Sequence, residues 1–363
     1  MADSKAGRHK FYSLKVAEVR AEASDCVSLR FEVPDALQDL FSYQHGQHLT
    51  VRKEIGDEDI RRNYSICQSV DDKELRVAVR KVEGGRFSCF ANEALKAGDT
   101  LDIMPPTGHF NVALDPLSER RYVAFAAGSG ITPILSIIKT TLEREPNARF
   151  TLFYGNRSSR SMLFGRQISE LKNRFMDRFA FFNFMSQQRL EVSFFNGRLD
   201  GNKVQTLLDK MVPVQEIDHA FICGPAEMID DVSDTLLAAG LDRSAIHVER
   251  FTTGLEAARP PRSHDTKSSE QQTDITVILD GVRHVVKGAD RDTTLLDAAS
   301  KAGLDVPFAC KGGVCCTCRA KLVGGEADMV LNQGLESDEV DKGYILTCQS
   351  YPLSASVTLD YDA

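Results

Sequence analysis

The sequence predicts a multidomain protein of the α/β and β classes, made of an antiparallel β-barrel, a parallel α/β domain and a small C-terminal β-grasp-like domain. Three observations support this order. Residues 10–110 contain short alternating apolar runs, and residues 121–251 alternate strand-like with helix-like segments. Residues 274–363 open with a hairpin signal and hold five of the nine cysteines. A length of 363 residues suits two or three such domains.

The first domain is predicted to span residues 8–114. Apolar and polar residues alternate over residues 75–80, which is typical of a half-buried strand, and turn residues stand at Asp71-Asp72 and Gly84-Gly85. Short strands separated by such turns favour a small antiparallel barrel.

The second domain is predicted over residues 115–254. Its strand-like runs alternate with helical stretches, which argues for a parallel sheet with helices on both faces. These runs are residues 122–126, 150–154, 180–184 and 219–222, and the first is followed by a helix predicted at residues 134–140.

A flexible linker is predicted over residues 255–273, because this stretch has two prolines, three serines and almost no large apolar side chain. After it, Asp280-Gly281 separates two β-rich runs and predicts a hairpin. A helix is expected over residues 294–302, with Gly303 as its stop. The third domain is therefore predicted as residues 274–363.

The charge distribution excludes a general role in nucleic-acid binding. The net charge is −8, and residues 274–363 carry 14 Asp and Glu against 8 Lys and Arg. The acidic C-terminal domain is suited to a basic partner surface. Because residues 1–10 lack the apolar core of a signal peptide and the most apolar segment is broken by glycines and a proline, we expect a cytoplasmic protein without a membrane span.

The strongest motif is a set of cysteines near the C-terminus. Cys310, Cys315 and Cys318 have the spacing C-x4-C-x2-C, and Cys348 follows 29 residues later. This pattern predicts that the four thiolates bind a plant-type [2Fe–2S] cluster. A structural zinc site and a group of buried structural cysteines are the alternatives. Cys316 has no place in the spacing and is interpreted as a loop residue.

Two motifs in the barrel predict a flavin site. Arg62-Asn63-Tyr64-Ser65 has the form R-x-Y-S, in which Arg can pair with a diphosphate, Tyr can stack on an isoalloxazine ring and Ser can hydrogen-bond near its N5 atom. About twenty residues later, Gly84-Gly85 leads into a predicted helix that contains Ser88. A glycine turn at a helix N-terminus is an anion site.

Two glycine-containing turns predict a nicotinamide-nucleotide site. Residues 128–133 follow an apolar strand and open a helix, which suits a pyrophosphate. Cys223-Gly224-Pro225 follows another strand at the carboxyl end, where ligands bind, and we expect Cys223 to face the nicotinamide ring. Arg157 is a candidate for a 2′-phosphate. The absence of Asp or Glu after residues 180–184 favours NADPH, with NADH left open.

The order of these motifs resembles the ferredoxin–NADP reductase superfamily with a plant-type ferredoxin domain fused at the C-terminus. The cluster loop at 309–318 and the segments 344–349 and 154–157 are most similar to the reductase subunits of bacterial ring-1,2-phenylacetyl-CoA epoxidases. The resemblance implies that electrons pass from NADPH through FAD and the cluster to a separate di-iron oxygenase component.

The resemblance also implies roles for individual residues. Glu249 and Phe251, which close the second domain, are expected near the flavin, and Tyr64, Ser65, Cys223 and Glu249 are expected at the site of hydride transfer. The residues implied to hold FAD are Arg62, Tyr64, Ser65, Gly84, Gly85 and Ser88. Those implied to hold the nicotinamide nucleotide are Gly128, Gly130, Thr132, Cys223, Gly224 and Pro225, with Arg157 as the phosphate candidate.

The predicted function is an NAD(P)H-dependent electron-transfer reductase of an oxygenase. A nicotinamide gives up two electrons as hydride and a [2Fe–2S] cluster takes one, so a flavin must lie between them. Two alternatives remain: a reductase for another oxygenase or for a hybrid-cluster acceptor, and a flavin reductase or diaphorase with a structural metal in the C-terminal domain.

Overall fold

The computed structural model describes residues 7–251 and 272–363. Most of the linker predicted at residues 255–273 lies outside the described residues. Gln272 and Thr273 already belong to the first strand of the C-terminal domain, so that domain begins two residues earlier than the predicted boundary at 274. Asp274 pairs through its backbone with residue 355, and this pairing extends the sheet back towards Gln272.

The N-terminal domain is an antiparallel barrel of six strands in the order β4-β3-β6-β1-β2-β5. A bridge between Ile66 and Val77 joins the ends of this order. The prediction of a barrel is confirmed, and its interior is lined by alternate residues of each strand. The elements are β1 (Tyr12–Ala23), β2 (Cys26–Glu32), β3 (His48–Ile55), β4 (Glu58–Ser65), β5 (Leu75–Arg80), α1 (Arg86–Glu93) and β6 (Thr100–Thr107).

The second domain is a parallel sheet, as predicted, and its five strands have the order β11-β10-β7-β8-β9. The chain runs from β7 outward to β9, then returns to the other side of β7 for β10 and β11. The strand order therefore reverses between β7 and β10, where such sheets form a ligand crevice. The elements are β7 (Arg121–Ala127), α2 (Ile131–Arg144), β8 (Arg149–Asn156), α3 (Gly165–Arg174), β9 (Phe179–Met185), α4 (Gly201–Lys210), β10 (His219–Gly224), α5 (Ala226–Ala238) and β11 (Ile246–Arg250).

Helix α2 begins three residues before the predicted start at residue 134. Pro133 is the third residue of the helix, and a proline is tolerated in the first turn because the N–H groups there have no partner inside the helix. The early start brings the helix N-terminus directly against the turn at residues 128–130.

The C-terminal domain has a mixed sheet of five strands in the order β13-β12-β18-β14-β16, and a two-stranded sheet of β15 and β17. The predicted hairpin is present, with Asp280 and Gly281 at positive φ. The elements are β12 (Gln272–Leu279), β13 (Val282–Asp290), α6 (Leu295–Lys301), β14 (Arg319–Gly324), β15 (Ala327–Met329), α7 (Ser337–Asp341), β16 (Tyr344–Leu346), β17 (Ser350–Pro352) and β18 (Ser356–Asp360). In the part of the chain that the structure describes, no helix is both long and apolar enough to cross a membrane.

Candidate functional site

Strand β4 and helix α1 bring the two flavin motifs together. The ring of Tyr64 lies 5.5 Å from the ring of Phe87, centroid to centroid. Phe87 belongs to the first turn of α1, directly after Gly84-Gly85, where Gly84 has a φ of +73°. Burial raises the pKa of the Tyr64 phenol, so this ring stays neutral at physiological pH.

The same region is suited to a flavin diphosphate. Arg62 lies on the face of β4 that carries Tyr64, because side chains alternate along a strand. Its guanidinium donates to the carbonyl of Arg61 (2.8 Å) and has no carboxylate partner among residues 7–251 and 272–363. Among the described residues, no side chain caps the N-terminus of α1, which leaves its first N–H groups available to an anion.

Ser88 contacts the backbone of the Gly84-Gly85 turn, a role that the motif did not predict. The Ser88 hydroxyl accepts from the N–H of Val82 (3.1 Å) and lies 3.2 Å from the carbonyl oxygen of Gly85. A Cβ at Gly85 would collide with that hydroxyl. Ser88 therefore shapes the glycine turn, and its direct contact with FAD stays a prediction.

Ser65, Glu249 and Cys223 converge at the junction of the first two domains. The Ser65 hydroxyl donates to Glu249 Oε2 (3.0 Å), across 184 residues of sequence. Cys223 on β10 and Glu249 on β11 are register partners in the parallel sheet. Cys223 is fully buried, and burial raises the pKa of its thiol well above the usual range. Three of the four residues predicted at the hydride-transfer site thus form one cluster, and the fourth, Tyr64, precedes Ser65 on β4.

Glu249 lies in a poorly solvated position. Burial raises the pKa of its carboxyl to about 8, and the hydrogen bond from Ser65 opposes this shift. His48 Nδ1 lies 4.0 Å from Glu249 Oε1, and burial lowers the pKa of His48 to about 4. A neutral histidine offers the carboxylate no compensating charge. Burial of Glu249 therefore favours the protonated form of its carboxyl.

We expect Glu249→Gln to stabilise the flavin-free chain more as the pH rises. The folded pKa of Glu249 lies above its unfolded value of 4.5, so stability falls as the pH increases from 4.5 and levels off above 8. Because Gln cannot ionise, the variant does not lose this part of the free energy of unfolding. The loss is a few kcal/mol at most, since one pKa unit corresponds to about 1.4 kcal/mol. Thermal unfolding of both chains between pH 6 and 9 measures it. Parallel curves for the two proteins would contradict a buried, titrating Glu249.

The predicted nicotinamide residues meet in the crevice between β7 and β10. Gly130 packs so closely on the end of β10 that a Cβ there would collide with the Cys223 carbonyl oxygen, and would lie 2.9 Å from the Gly224 nitrogen. Gly128 has a φ of +56°, and its carbonyl accepts from the Tyr154 hydroxyl (3.0 Å). The turn is therefore held from two sides.

The N-terminus of α2 is available to a pyrophosphate, since no side chain in the described part of the chain caps it. Thr132 is buried in the first turn and donates to the Ser129 carbonyl (3.0 Å). Pro225 stands directly before α5 on the opposite side of the crevice. Both helices thus begin at the crevice, as the motifs predicted.

Arg157 lies at the carboxyl end of β8, away from the cluster of Ser65, Glu249 and Cys223. It is exposed, and its carbonyl accepts from the N–H of Gln187 after β9 (2.9 Å). Ser159 donates from its N–H to the Gln188 side chain (2.8 Å), so the loops after β8 and β9 are joined. An exposed arginine beside these loops fits a 2′-phosphate and stays a prediction.

The four predicted cluster ligands lie in two pairs. The Cys310 and Cys315 thiols lie close enough to shift each other's pKa, and so do the thiols of Cys318 and Cys348. All four are free thiols. Within residues 7–251 and 272–363, no three His, Cys, Asp or Glu side chains form a group suited to a single metal ion. Two thiol pairs fit a two-iron cluster, in which each iron takes two cysteines, better than a mononuclear zinc site.

The backbone of the cluster loop supports the same assignment. The N–H of Gly312 donates to Cys310 Sγ (3.2 Å), and the contact with the Cys315 thiol and several such N–H groups lower the pKa of Cys310. Gly313 has a φ of +74°, and Gln349 donates to the carbonyl of Lys311 (2.8 Å), which fixes the loop against the segment of the fourth ligand. N–H groups directed at sulfur stabilise thiolates and tune a cluster.

One cavity of about 1070 Å³ joins the flavin side to the cluster side. Ser65 and Glu249 line one wall, and Val314 and Cys315 of the cluster loop line another. Phe251 is 40% exposed and also borders this space, next to the end of β11. A group that occupies the cavity can therefore contact the hydride-transfer cluster and the cluster loop together.

Several cavity residues were not predicted from the sequence. They include His48, residues 108–110 and residues 332–339, and none of these belongs to a recognisable motif. His48 reaches the site because it pairs in register with Ser65 on the neighbouring strand. The pairing of β3 with β4 is the only signal that would have located it.

Comparisons with known proteins agree with these three sites. The oxidoreductase FAD-binding domain family matches residues 13–112, the oxidoreductase NAD-binding domain family matches 125–234, and the 2Fe-2S iron-sulfur cluster binding domain family matches 277–353. Phthalate dioxygenase reductase shares the fold, with a TM-score of 0.59 at 22% identity, and the match covers 96% of this chain and 98% of that one.

Two relatives are more similar in sequence and match over nearly their whole length. One of the subunits of 1,2-phenylacetyl-CoA epoxidase from Escherichia coli (strain K12) is 45% identical over 354 residues, which cover 97% of this chain and 98% of the relative. The other relative is the ferredoxin reductase component of 3-ketosteroid-9-alpha-monooxygenase from Mycobacterium tuberculosis (strain ATCC 25618 / H37Rv). It is 32% identical over an alignment of 372 residues, which covers 100% of this chain and 99% of the relative.

The fold and its three sites define an oxidoreductase that uses FAD, a nicotinamide nucleotide and a [2Fe–2S] cluster. The chain belongs to the ferredoxin–NADP reductase superfamily, in the group that carries a C-terminal ferredoxin domain and serves as the reductase component of oxygenase systems.

Proposed function

We propose that the acceptor of this reductase is the di-iron oxygenase component of a phenylacetyl-CoA epoxidase and that the electron donor is NADPH. The 45% identity to the Escherichia coli epoxidase protein over nearly the whole chain supports this acceptor. The acidic C-terminal domain, with a net charge of −6, suits a basic docking surface on the partner. The exposed Arg157 beside the loops after β8 and β9 supports NADPH.

The single observation that carries the electron path is the shared cavity. It borders Ser65 and Glu249 on one side and Cys315 on the other. When bound, the flavin accepts an electron pair as hydride and releases electrons singly. The residues of the chain position the reactants. Gly130 packs against the turn that contains Cys223, and the hydrogen-bonded pair of Ser65 and Glu249 lines the site.

A cytoplasmic location is part of the proposal. None of the nine cysteines forms a disulfide in the described residues, and the four predicted ligands must stay reduced to bind iron. Reducing compartments maintain this state.

An anaerobic titration with NADPH, followed by reconstitution, tests the proposal. We expect the flavin and cluster absorption bands to bleach together, with three electrons per chain, and NADPH to reduce the flavin faster than NADH. With purified epoxidase oxygenase, phenylacetyl-CoA should stimulate NADPH oxidation. The matched control replaces that oxygenase with a 3-ketosteroid 9-alpha-oxygenase. Stimulation only in the control reaction would reject the epoxidase assignment, and faster reduction by NADH would reject the donor.

A further inference from the structure

The face of β4 opposite to Arg62 and Tyr64 contacts the C-terminal domain. Arg61 and Asn63 lie on this face, and Arg62 and Tyr64 lie on the other, because side chains alternate along a strand. The strand that carries the flavin motif therefore also holds the cluster domain.

Arg61 forms the outer contact. It is 6% exposed, and its guanidinium donates to Asp305 Oδ1 (2.7 Å) of the C-terminal domain. The guanidinium also stacks over the ring of Phe308, 4.1 Å from its centroid. A buried, planar guanidinium with a carboxylate and an aromatic face is a strong and directional contact.

Asn63 forms the inner contact, at the cluster loop itself. Its Nδ2 donates to Thr317 Oγ1 (2.8 Å), and Thr317 stands directly before the ligand Cys318. The Thr50 hydroxyl on the neighbouring strand donates to Asn63 Oδ1 (2.8 Å) and so fixes the orientation of the amide. Tyr64 of the flavin motif and Cys318 of the cluster are thus linked by two peptide bonds and one hydrogen bond.

The outer contact is also reversible. Arg61 pairs with Asp59 on its own strand (2.9 Å) as well as with Asp305. If the C-terminal domain moves away, Asp59 remains, and the guanidinium is not left buried without a partner. The side chains of both aspartates are about half exposed, which makes the ion pairs accessible to solvent and salt.

We propose that Arg61 and Asn63 form a two-point clamp that holds the cluster domain in the position in which it accepts electrons from the flavin. In this clamp Asn63 is a positioning residue for electron transfer, and its hydrogen bond to Thr317 sets the approach of the cluster loop. Arg61 and Asp305 set how long the domain stays docked. The inference rests on transfer from flavin to cluster within one chain and does not depend on which oxygenase is the partner.

The clamp is tested by single-turnover reduction of the full chain with NADPH, which resolves flavin reduction from cluster reduction. Loss of the Asn63–Thr317 hydrogen bond should slow cluster reduction, relative to flavin reduction in the same variant, about three- to tenfold in Asn63→Leu and in Thr317→Val. Because the Thr317 side chain also contacts the thiol of Cys315, iron content is recorded for every variant. The double variant should be no slower than either single variant, and Thr317→Ser should restore the rate. Equal cluster reduction in all variants, or additive losses, would overturn the assignment of Asn63.

Asp305→Asn provides the second arm, because Asp305 lies outside the cluster loop and cannot disturb cluster assembly directly. We expect slower cluster reduction, a weaker dependence of that rate on salt, and a larger radius of gyration in solution scattering. Asp341→Asn, an exposed position in the same domain, makes the same charge change and should behave as the parent. If Asp305→Asn matches the parent in rate, salt dependence and radius, the clamp does not exist.

Discussion

Replacing Cys318 or Cys348 by Ser is expected to abolish electron delivery to the oxygenase while NADPH still reduces the flavin. The two thiols are buried and lie next to each other, so either substitution removes one of the four predicted cluster ligands. Loss of a ligand from a four-thiolate cluster removes the cluster or makes it unstable. The rate of NADPH-dependent reduction of the oxygenase should fall by at least about a hundredfold, which corresponds to roughly 3 kcal/mol.

Cys316→Ser is the matched control, because Cys316 lies in the same loop between two ligands. It is partly buried beside Gly334, where a Cβ would lie 2.6 Å from its sulfur, and it belongs to neither thiol pair. Iron content, the visible spectrum of the cluster and ferricyanide reduction separate the outcomes. We expect two irons per chain in Cys316→Ser, and ferricyanide reduction in all three variants. Full iron in Cys348→Ser, or zinc in place of iron in the parent, would contradict the ligand set.

The sequence predicted the parts of the molecule that depend on local patterns. The strand at residues 75–80, the hairpin at Asp280-Gly281 and the strands of the parallel sheet each follow from alternation, turn residues or apolar runs within about ten positions. The cysteine spacing is also local for three of its four members. Such features are encoded by neighbouring residues, so the same elements form wherever the fold buries their apolar face.

The contacts between domains could not be predicted. His48 and Asp305 belong to no motif, and Asn63 stands at the unspecified position of R-x-Y-S. The roles of all three depend on strand register and on how two surfaces fit. Glu249 was located near the flavin only through the resemblance. Its pairing with Cys223 on the next strand gives the physical reason, since strand order brings them together. The sequence carries no local signal for contacts between two surfaces whose residues lie far apart along the chain.

Gly130→Ala is expected to slow hydride transfer more than any other single change in the nucleotide domain. The Cα of Gly130 lies against the end of β10, and a Cβ there would collide with the Cys223 carbonyl oxygen. Backbone atoms cannot move aside as a flexible side chain can, so the Cys223 turn must shift away from α2. A displacement of about 1 Å in a hydride-transfer site lowers the rate about a hundredfold.

Stopped-flow reduction of the flavin by saturating NADPH measures this effect, and Gly165→Ala is the matched control in the same domain. A Cβ at Gly165 meets the flexible end of Met162 at 3.3 Å, which can rotate away, so the parent rate is expected. Because a buried clash also lowers stability, flavin content and the thermal midpoint are recorded for both variants. A folded, flavin-loaded Gly130→Ala chain that is reduced within about threefold of the parent rate would show that the close approach of α2 to β10 does not position the nicotinamide.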